Sequence, residues 1–198
     1  MIAIIDYGMG NLRSVEKALQ KVGAEVVVSR DPDDVRRADR IVLPGVGAFG
    51  DAMANLEKRG LVEVIKSEVA AGKPFLGICL GLDLLFEESD EHGLHKGLGL
   101  LPGRVELLPT ELKIPQIGWN QVSIRKESAL LEGIPDGSSF YFVHSYAVVP
   151  REESDILCLT DYGCSFVSAV ERGNIAAFQF HPEKSSSLGL NILRNFSS

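Results

Sequence analysis

The chain has little of what characterises secreted and membrane-spanning proteins. Its 198 residues include three cysteines, Cys79, Cys158 and Cys164, and an odd number cannot form a fully paired disulfide framework. No apolar run approaches the ~20 residues that a helix needs to cross a bilayer. The first residues also lack the basic start of a secretory signal. We therefore expect a cytoplasmic protein in a reducing compartment, with no membrane partner.

Positive charge is scarce as well. The chain has 20 Lys and Arg against 27 Asp and Glu, for a formal net charge of -7. Its basic residues are scattered, whereas proteins that bind nucleic acids concentrate them on one face. We therefore expect no nucleic-acid partner. The remaining composition, 45% hydrophobic and 24% charged, is that of an ordinary globular protein, and the length predicts one domain over residues 1–198.

Short apolar runs alternate with helical patterns through the first half of the chain. The predicted strands cover 2–5, 25–29, 40–43 and 74–78, and the predicted helices cover 12–22, 32–38 and 49–71. Gly60 is expected to interrupt the last helix. The alternation predicts an α/β fold, with right-handed βαβ units and helices on both faces of a mostly parallel sheet.

The second half changes character after a polar segment at 89–97. Its strand-like runs cover 98–108, 121–125, 139–143, 147–150, 156–160, 166–171 and 175–180, and a closing helix is predicted over 185–196. Because turn residues separate these runs, we expect an antiparallel strand extension of the parallel sheet. The polar segment carries His92 and His95, but no third ligand lies nearby, so we expect no metal site.

A loop with two glycines follows the first strand, at 6–11. Gly8 and Gly10 match the start of a dinucleotide fingerprint, but Arg13 stands where the third glycine belongs. No acidic residue closes the second strand either. We therefore expect a plain turn at the carboxyl edge of the sheet, and no cofactor.

The pentapeptide Gly77-Ile78-Cys79-Leu80-Gly81 carries the first candidate for chemistry. It joins a buried strand to a predicted helix at 80–87, which places Cys79 on a sharp turn that exposes its side chain. A helix N-terminus favours a thiolate, so we expect a lowered pKa at Cys79 and a nucleophilic role. The alternative is a buried structural cysteine.

The second candidate is His181-Pro182-Glu183, at the end of the last strand. In an extended segment, residues two apart point the same way, so the imidazole and the carboxylate are expected to meet. The carboxylate then fixes one ring nitrogen and leaves the other to take a thiol proton. The alternative to a catalytic pair is a histidine at a strand end beside an unrelated surface glutamate. The presence of Cys79 in the same chain favours the catalytic pair.

Three stretches together resemble the class I, triad-type glutamine amidotransferases: the 77–81 elbow, the 181–183 motif and the turn Pro44-Gly45-Val46-Gly47. Further matches at 6–11, 118–120, 142–146 and 181–185 extend the resemblance over nearly the whole chain. They are similar to members of the family that act as a separate glutaminase subunit in histidine biosynthesis. The resemblance implies glutamine as substrate and a βα-barrel cyclase subunit as partner in a heterodimer.

The resemblance also implies roles for individual residues. The triad would be Cys79, His181 and Glu183. The oxyanion donors would be the backbone N–H groups of Leu80, Val46 and Gly47. The substrate-binding residues would be Gly45, Gly47, Asp83, Ser145 and Tyr146. The partner interface would include Asn11, Trp119, Tyr141 and Lys184. For Trp119, a core aromatic residue is the alternative.

Asp83 departs from the family pattern, because relatives usually carry Gln at this position. A carboxylate one turn into the elbow helix is able to accept hydrogen bonds from the ammonium group of glutamine. A surface carboxylate near a helix N-terminus is the alternative. The turn at Pro44–Gly47 adds a second open question, since its Gly45–Val46 peptide can present either a carbonyl or an N–H to the site.

Other functions remain open at this stage. Within the family, the glutaminase of pyridoxal phosphate synthase and the anthranilate-type enzymes are alternatives, although the stretches at 44–49 and 118–120 favour the assignment above. A thiol peptidase or γ-glutamyl hydrolase would act without a partner. A regulatory subunit would carry a vestigial triad, which the intact Cys, His and Glu argue against.

Overall fold

The computed structural model describes residues 1–198 and contains one twelve-stranded sheet and a separate two-stranded sheet. The first half of the chain supplies β1 (Ile2–Ile5), α1 (Leu12–Lys21), β2 (Val26–Ser29), α2 (Pro32–Arg37), β3 (Arg40–Gly45), α3 (Phe49–Lys58), α4 (Leu61–Ala70), β4 (Phe75–Cys79) and α5 (Leu80–Asp83). These elements follow the predicted alternation of strands and helices. None of the helices is long and apolar enough to cross a membrane.

The second half is dominated by strands. They are β5 (Glu88–Ser89), β6 (His95–Lys96), β7 (Gly103–Leu107), β8 (Gln116–Gln121), β9 (Ser123–Ile124), β10 (Ser139–His144), β11 (Tyr146–Pro150), β12 (Ile156–Asp161), β13 (Ser165–Arg172) and β14 (Ile175–Phe178), followed by α6 (Ser186–Ser197). The main sheet has the order β2-β1-β3-β4-β14-β13-β11-β7-β5-β6, with β12 beside β13 and β9 beside β12. The small sheet pairs β10 with β8.

Strand pairing across the main sheet changes from parallel to antiparallel at β14, except that β5 runs parallel to β7. From β2 to β14 the neighbours are parallel, and β13, β11 and β7 then follow in antiparallel pairs. The α/β class and the antiparallel extension are therefore confirmed. Because the carboxyl ends of the parallel strands share one edge, the Cys79 end of β4 lies beside the Gly45 end of β3.

Helices cover both faces of the parallel part, as the sequence predicted. Side chains of alternate strand residues point to opposite faces. Ile4 and Val42 pack in the core that α1 and α6 cover, whereas Ile5 and Leu43 pack in the core that α2, α3 and α4 cover. The break in the long helical region falls at Gly60, which adopts a left-handed φ of 68°.

Several predicted elements differ in their bounds from the structure, and the strand predicted at 98–108 covers only Gly103–Leu107. The helix after Cys79 ends at Asp83 and not at residue 87, because the carbonyls of Leu84 and Leu85 accept hydrogen bonds from Leu98 and Leu100 instead of from a next helical turn. The strand predicted at 121–125 corresponds to the short β9 at Ser123–Ile124, and the longer strand before it, β8, was not predicted. Its pattern was missed because Ile117 and Trp119 point outwards and leave their large apolar side chains exposed.

The polar segment at 89–97 forms a short hairpin rather than a plain surface loop. β5 pairs with β6, and the Ser89 side chain is buried. No group of three His, Cys, Asp or Glu side chains in the chain is close enough to hold a metal ion. The segment instead supplies one wall of the cavity described below.

Candidate active site

Cys79 lies on a sharp turn between β4 and α5. Its φ of 55° and ψ of -116° are strained for a residue with a side chain. Both flanking glycines are required by close packing. A Cβ atom on Gly81 would lie 1.8 Å from the carbonyl oxygen of Leu43, and one on Gly77 would lie 2.6 Å from the carbonyl oxygen of Gly81. The elbow geometry predicted from the pentapeptide is therefore present.

The elbow opens into a cavity of about 470 Å³. The cavity brings together most of the residues singled out from the sequence. The predicted residues that line it are Val46, Gly47, Cys79, Leu80, Asp83, Ser145, Tyr146, His181 and Lys184. Gly45 and Glu183 do not line the cavity, and neither do Asn11, Trp119 and Tyr141. A concave, partly apolar site with a few converging polar groups is the usual form of a small-molecule site.

The His181 ring is held by Glu183. Nδ1 of His181 lies 2.8 Å from Oε1 of Glu183, and both side chains are almost completely buried. The predicted contact is therefore present, but the reason given for it was wrong. Pro182–Lys184 is a turn of 3-10 helix and not an extended segment, so the local turn brings the two side chains together. The bond to Nδ1 leaves Nε2 as the free ring nitrogen.

The Cys79 thiol has a different environment from the one expected. Sγ donates a hydrogen bond to the carbonyl oxygen of Val143 at 3.6 Å, and no hydrogen bond joins it to His181. Burial, with a smaller contribution from the Asp83 carboxylate, raises the pKa of Cys79 to about 12, against a smaller opposing effect of the Leu80 N–H. The expected lowering of this pKa was wrong because desolvation outweighs the helix N-terminus in so short a helix.

Asp83 is buried, so the interpretation as a surface carboxylate is wrong. Only 7% of the residue is exposed, and Oδ1 has no hydrogen-bond partner. Burial raises the pKa of Asp83 well above its ordinary value, and the nearby Glu91 carboxylate adds to this effect. An unpartnered buried carboxyl group beside a cavity is suited to bind a polar or cationic ligand.

Three polar residues that line the cavity carry no sequence motif of their own: Glu91, His144 and Gln179. Gln179 is fully buried, and neither side-chain polar atom has a partner. It stands two residues before the motif at 181–183, which was the available signal. Glu91 lies in the polar hairpin, and no motif in that segment marked it as a site residue.

His144 is excluded as the base by its own contacts. Its Nδ1 donates to the carbonyl oxygen of Tyr146 at 2.8 Å, and its Nε2 lies 2.7 Å from the side chain of Gln116. Burial lowers the pKa of His144 to about 4, so the ring is neutral at pH 7. His181 is therefore the ring in this cavity with a carboxylate partner and a free nitrogen.

The turn at 44–47 is arranged differently from the expectation. Gly45 belongs to β3, and a Cβ atom there would lie 2.4 Å from Oη of Tyr7, so this glycine is required by crowding. Gly47 instead has the left-handed φ, at 97°. Val46, between them, is 41% exposed and lines the cavity. The conformational freedom of the turn thus lies at Gly47 rather than Gly45.

Three of the four predicted interface residues form one surface cluster. Trp119 on β8 stands opposite Tyr141 on β10, with their rings 6.3 Å apart in an edge-to-face arrangement. Lys184 Nζ lies 5.8 Å from the centre of the Tyr141 ring. Trp119 is 55% exposed, so the interpretation as a core residue is wrong. Asn11 is exposed at the start of α1, which contacts the Pro182–Lys184 turn.

Comparison with known proteins agrees with the elbow, the buried His–Glu pair and the fold. The family model described as "Glutamine amidotransferase class-I" matches residues 3–198. The chain belongs to the class I glutamine amidotransferases. Within this family it is 63% identical to "Imidazole glycerol phosphate synthase subunit HisH" of Aquifex aeolicus, over 98% of this chain and 94% of the relative. It is 55% identical to the HisH subunit of Moorella thermoacetica, over 98% and 93%.

Solved structures of other amidotransferases share the fold at low sequence identity. One titled "Crystal structure of glutamine amidotransferase" superposes with a TM-score of 0.75 at 21% identity, covering 100% of both chains. A chain from "Structure of PurLQS from Thermotoga maritima" gives 0.76 at 18% identity, covering 98% of this amidotransferase and 96% of that chain. These likenesses concern the fold alone.

Proposed function

We propose that this amidotransferase is the glutaminase subunit of an imidazole glycerol phosphate synthase. It hydrolyses the side-chain amide of glutamine to glutamate and ammonia, and it passes the ammonia to a βα-barrel cyclase subunit. The cyclase then makes imidazole glycerol phosphate and an aminoimidazole carboxamide ribonucleotide. The proposal rests chiefly on one observation: Cys79, on a strained turn, shares a cavity with a His181–Glu183 pair bonded at 2.8 Å. The identity to HisH subunits supports it.

Catalysis begins with proton transfer from Sγ of Cys79 to Nε2 of His181. The thiolate attacks the amide carbon of glutamine, and His181 returns the proton to the departing nitrogen as ammonia leaves. Water then attacks the thioester and releases glutamate. The buried Glu183 carboxylate holds the His181 ring in one tautomer and stabilises the imidazolium during both steps. This sequence consumes one glutamine and one water, and it needs no cofactor.

The oxyanion of each tetrahedral intermediate needs fixed donors. The Leu80 N–H at the start of α5 is one, and the turn with Val46 and Gly47 supplies the second. We propose that this turn has a resting form with a carbonyl inward and an active form with an N–H inward. Loss of one such donor typically costs about 10²–10³ in kcat, so the isolated chain is expected to be a slow glutaminase.

The partner docks on the exposed cluster formed by Trp119, Tyr141 and Lys184, with Asn11 at its edge. This cluster is joined to the active site by β10. The carbonyl oxygen of Tyr141 accepts a hydrogen bond from the backbone N–H of His181 at 2.9 Å. The carbonyl oxygen of Val143 accepts a hydrogen bond from the Cys79 thiol. A shift of β10 on docking therefore acts on both catalytic residues. Such a strand is the shared element that coupling between two sites requires.

The test compares glutamate release by the wild type and the Cys79→Ala variant, each mixed with a HisF-type cyclase. The wild type should release glutamate and the variant should not. A matched Cys158→Ala variant controls for loss of a buried thiol away from the cavity. Retained glutaminase activity in Cys79→Ala would overturn the proposal. Activity on γ-glutamyl peptides without any cyclase would favour a γ-glutamyl hydrolase.

A further inference from the structure

Asp83 and Cys79 are two buried acids on the same turn of the chain. Cys79 ends β4, and Asp83 follows it by four residues at the end of the single turn of α5. Both line the cavity, and both are more than nine-tenths buried. Oδ1 of Asp83 has no hydrogen-bond partner, and the carboxylate forms no ion pair. Cys79 stands directly before α5 with non-helical dihedral angles, so the ~6 Å spacing of residues four apart on a helix gives only the scale of the separation between the two side chains.

The groups around this pair are mostly acidic, and none of them forms an ion pair with Asp83. Acidic neighbours come from three other elements: Glu91 from the polar hairpin, Tyr146 from β11 and Glu183 beside His181. Burial raises the pKa of Tyr7, and a negative charge on Cys79 raises it as well. Among possible cations, His144 is neutral and His181 is bonded to Glu183. Lys184 lines the cavity, and its charge lowers the pKa of Cys79, but less than Asp83 raises it, because the Lys184 side chain is directed to the surface, over Tyr141.

Two acids at this spacing, without a cation, do not both ionise near neutral pH. Burial raises the pKa of both groups, and the negative charge of Asp83 is the second cause of the raised pKa of Cys79. The proton of the pair that leaves first is that of the stronger acid, the carboxyl group. The resulting charge on Asp83 then opposes ionisation of the thiol.

We propose that Asp83 makes release of the Cys79 proton depend on a cation bound beside it, and that the α-ammonium of glutamine is this cation. The inference deepens the proposed function and rests on it. When the ammonium pairs with Asp83, the site carries one more positive charge, and the thiol proton passes from Sγ to Nε2 of His181. The thiolate and the imidazolium form together, so charge and protons balance. Substrate thereby prepares the nucleophile that attacks it.

This arrangement distinguishes the chain from relatives that carry Gln at this position. A glutamine side chain binds an ammonium through its carbonyl but has no charge to hold the thiol protonated. A unit charge about 6 Å away, at an effective dielectric constant of about 20, changes an ionisation equilibrium by roughly 100-fold. We therefore expect an effect of at least about tenfold from removing it.

The first experiment measures ionisation directly in the full chain without substrate. The ultraviolet absorbance of the thiolate is followed against pH for wild type, Asp83→Gln and Asp83→Asn, with the Cys79→Ser curve subtracted to remove Cys158 and Cys164. Both Asp83 variants should ionise Cys79 at lower pH, with at least about tenfold more thiolate at a given pH. Coincident curves would overturn the proposal. Absorbance is insensitive to reagent access, and Asp83→Asn keeps the shape of the side chain, so a lower thiol pKa in this variant reports the lost charge and not a loosened cavity.

The second experiment tests the role of the ammonium in the complex with the cyclase. Glutaramate, which is glutamine without its α-ammonium, is compared with glutamine as substrate. The ratio of kcat for glutamine to kcat for glutaramate should be at least about tenfold larger in wild type than in Asp83→Gln. Equal ratios would overturn the proposal. Hydrolysis of glutamine by Cys79→Ser would instead overturn the proposed function, and the absorbance test would still stand by itself.

Discussion

The exposed Trp119 gives the sharpest test of the docking surface. We expect Trp119→Ala to weaken binding of the cyclase subunit strongly and to change the stability of the isolated chain little. Trp119 keeps 55% of its surface exposed, and its main aromatic contact is the edge-to-face pair with Tyr141. Such a residue is free to bury its remaining surface against a partner, as anchors at interface centres do.

The expected magnitude follows from the exposed area. A Trp side chain buries up to about 250 Å², so about 140 Å² remains available for docking. At about 25 cal/mol per Å², this area stabilises a complex by about 3 kcal/mol, or about 100-fold in Kd. Loss of the Tyr141 contact costs about 1 kcal/mol of folding stability, which lowers Tm by about 2–4 °C in a chain of this size.

The assay is calorimetric titration of the cyclase subunit with wild type and variant, with thermal unfolding of each chain alone. Val149→Ala is the matched control, because Val149 is 44% exposed on β11, away from the cavity end of that strand. It should leave Kd unchanged. An unchanged Kd for Trp119→Ala together with a collapsed Tm would refute the reasoning and make Trp119 a structural residue.

Three further outcomes are expected. A glutamine-like alkylating analogue should label Cys79 and leave Cys158 and Cys164 unmodified, since only Cys79 lines the cavity; peptide mapping that finds Cys79 inert would contradict this. Glutamate release should be slow for the chain alone, faster with the cyclase, and fastest with the cyclase and its nucleotide substrate; equal rates would refute the coupling through β10. The lowered pKa of His144 predicts that acid destabilises the fold. His144 binds a proton near pH 6.5 in the unfolded state but only near pH 4 in the folded state, so lowering the pH between these values favours unfolding. Urea unfolding should therefore show a loss of about 2 kcal/mol between about pH 7 and about pH 5 from this group. A His144→Gln variant that loses as much stability over this range would count against the assignment.

Local patterns were sufficient for much of the fold and for the motifs. Continuous apolar runs predicted buried parallel strands, because such strands have no solvent face to carry polar residues. The glycines at 77 and 81 predicted the elbow. The clash that Gly77 avoids is with the nearby backbone of Gly81, whereas the clash that Gly81 avoids is with Leu43 on the neighbouring strand. The bounds of α5 were not predictable in this way, since hydrogen bonds from Leu98 and Leu100 decide where that helix ends.

The sequence by itself determined which residue types are present for chemistry: a cysteine at an elbow, and a histidine two residues before a carboxylate. Only the tertiary structure decided their electrostatics. Burial depends on residues far away in the chain, such as Val143 above the thiol and Glu91 near Asp83, and no local pattern encodes it. Desolvation therefore makes the pKa shift of Cys79 opposite to the expected one. The fold also places Asp83 inside the cavity, without a hydrogen-bond partner for Oδ1, and not on the surface.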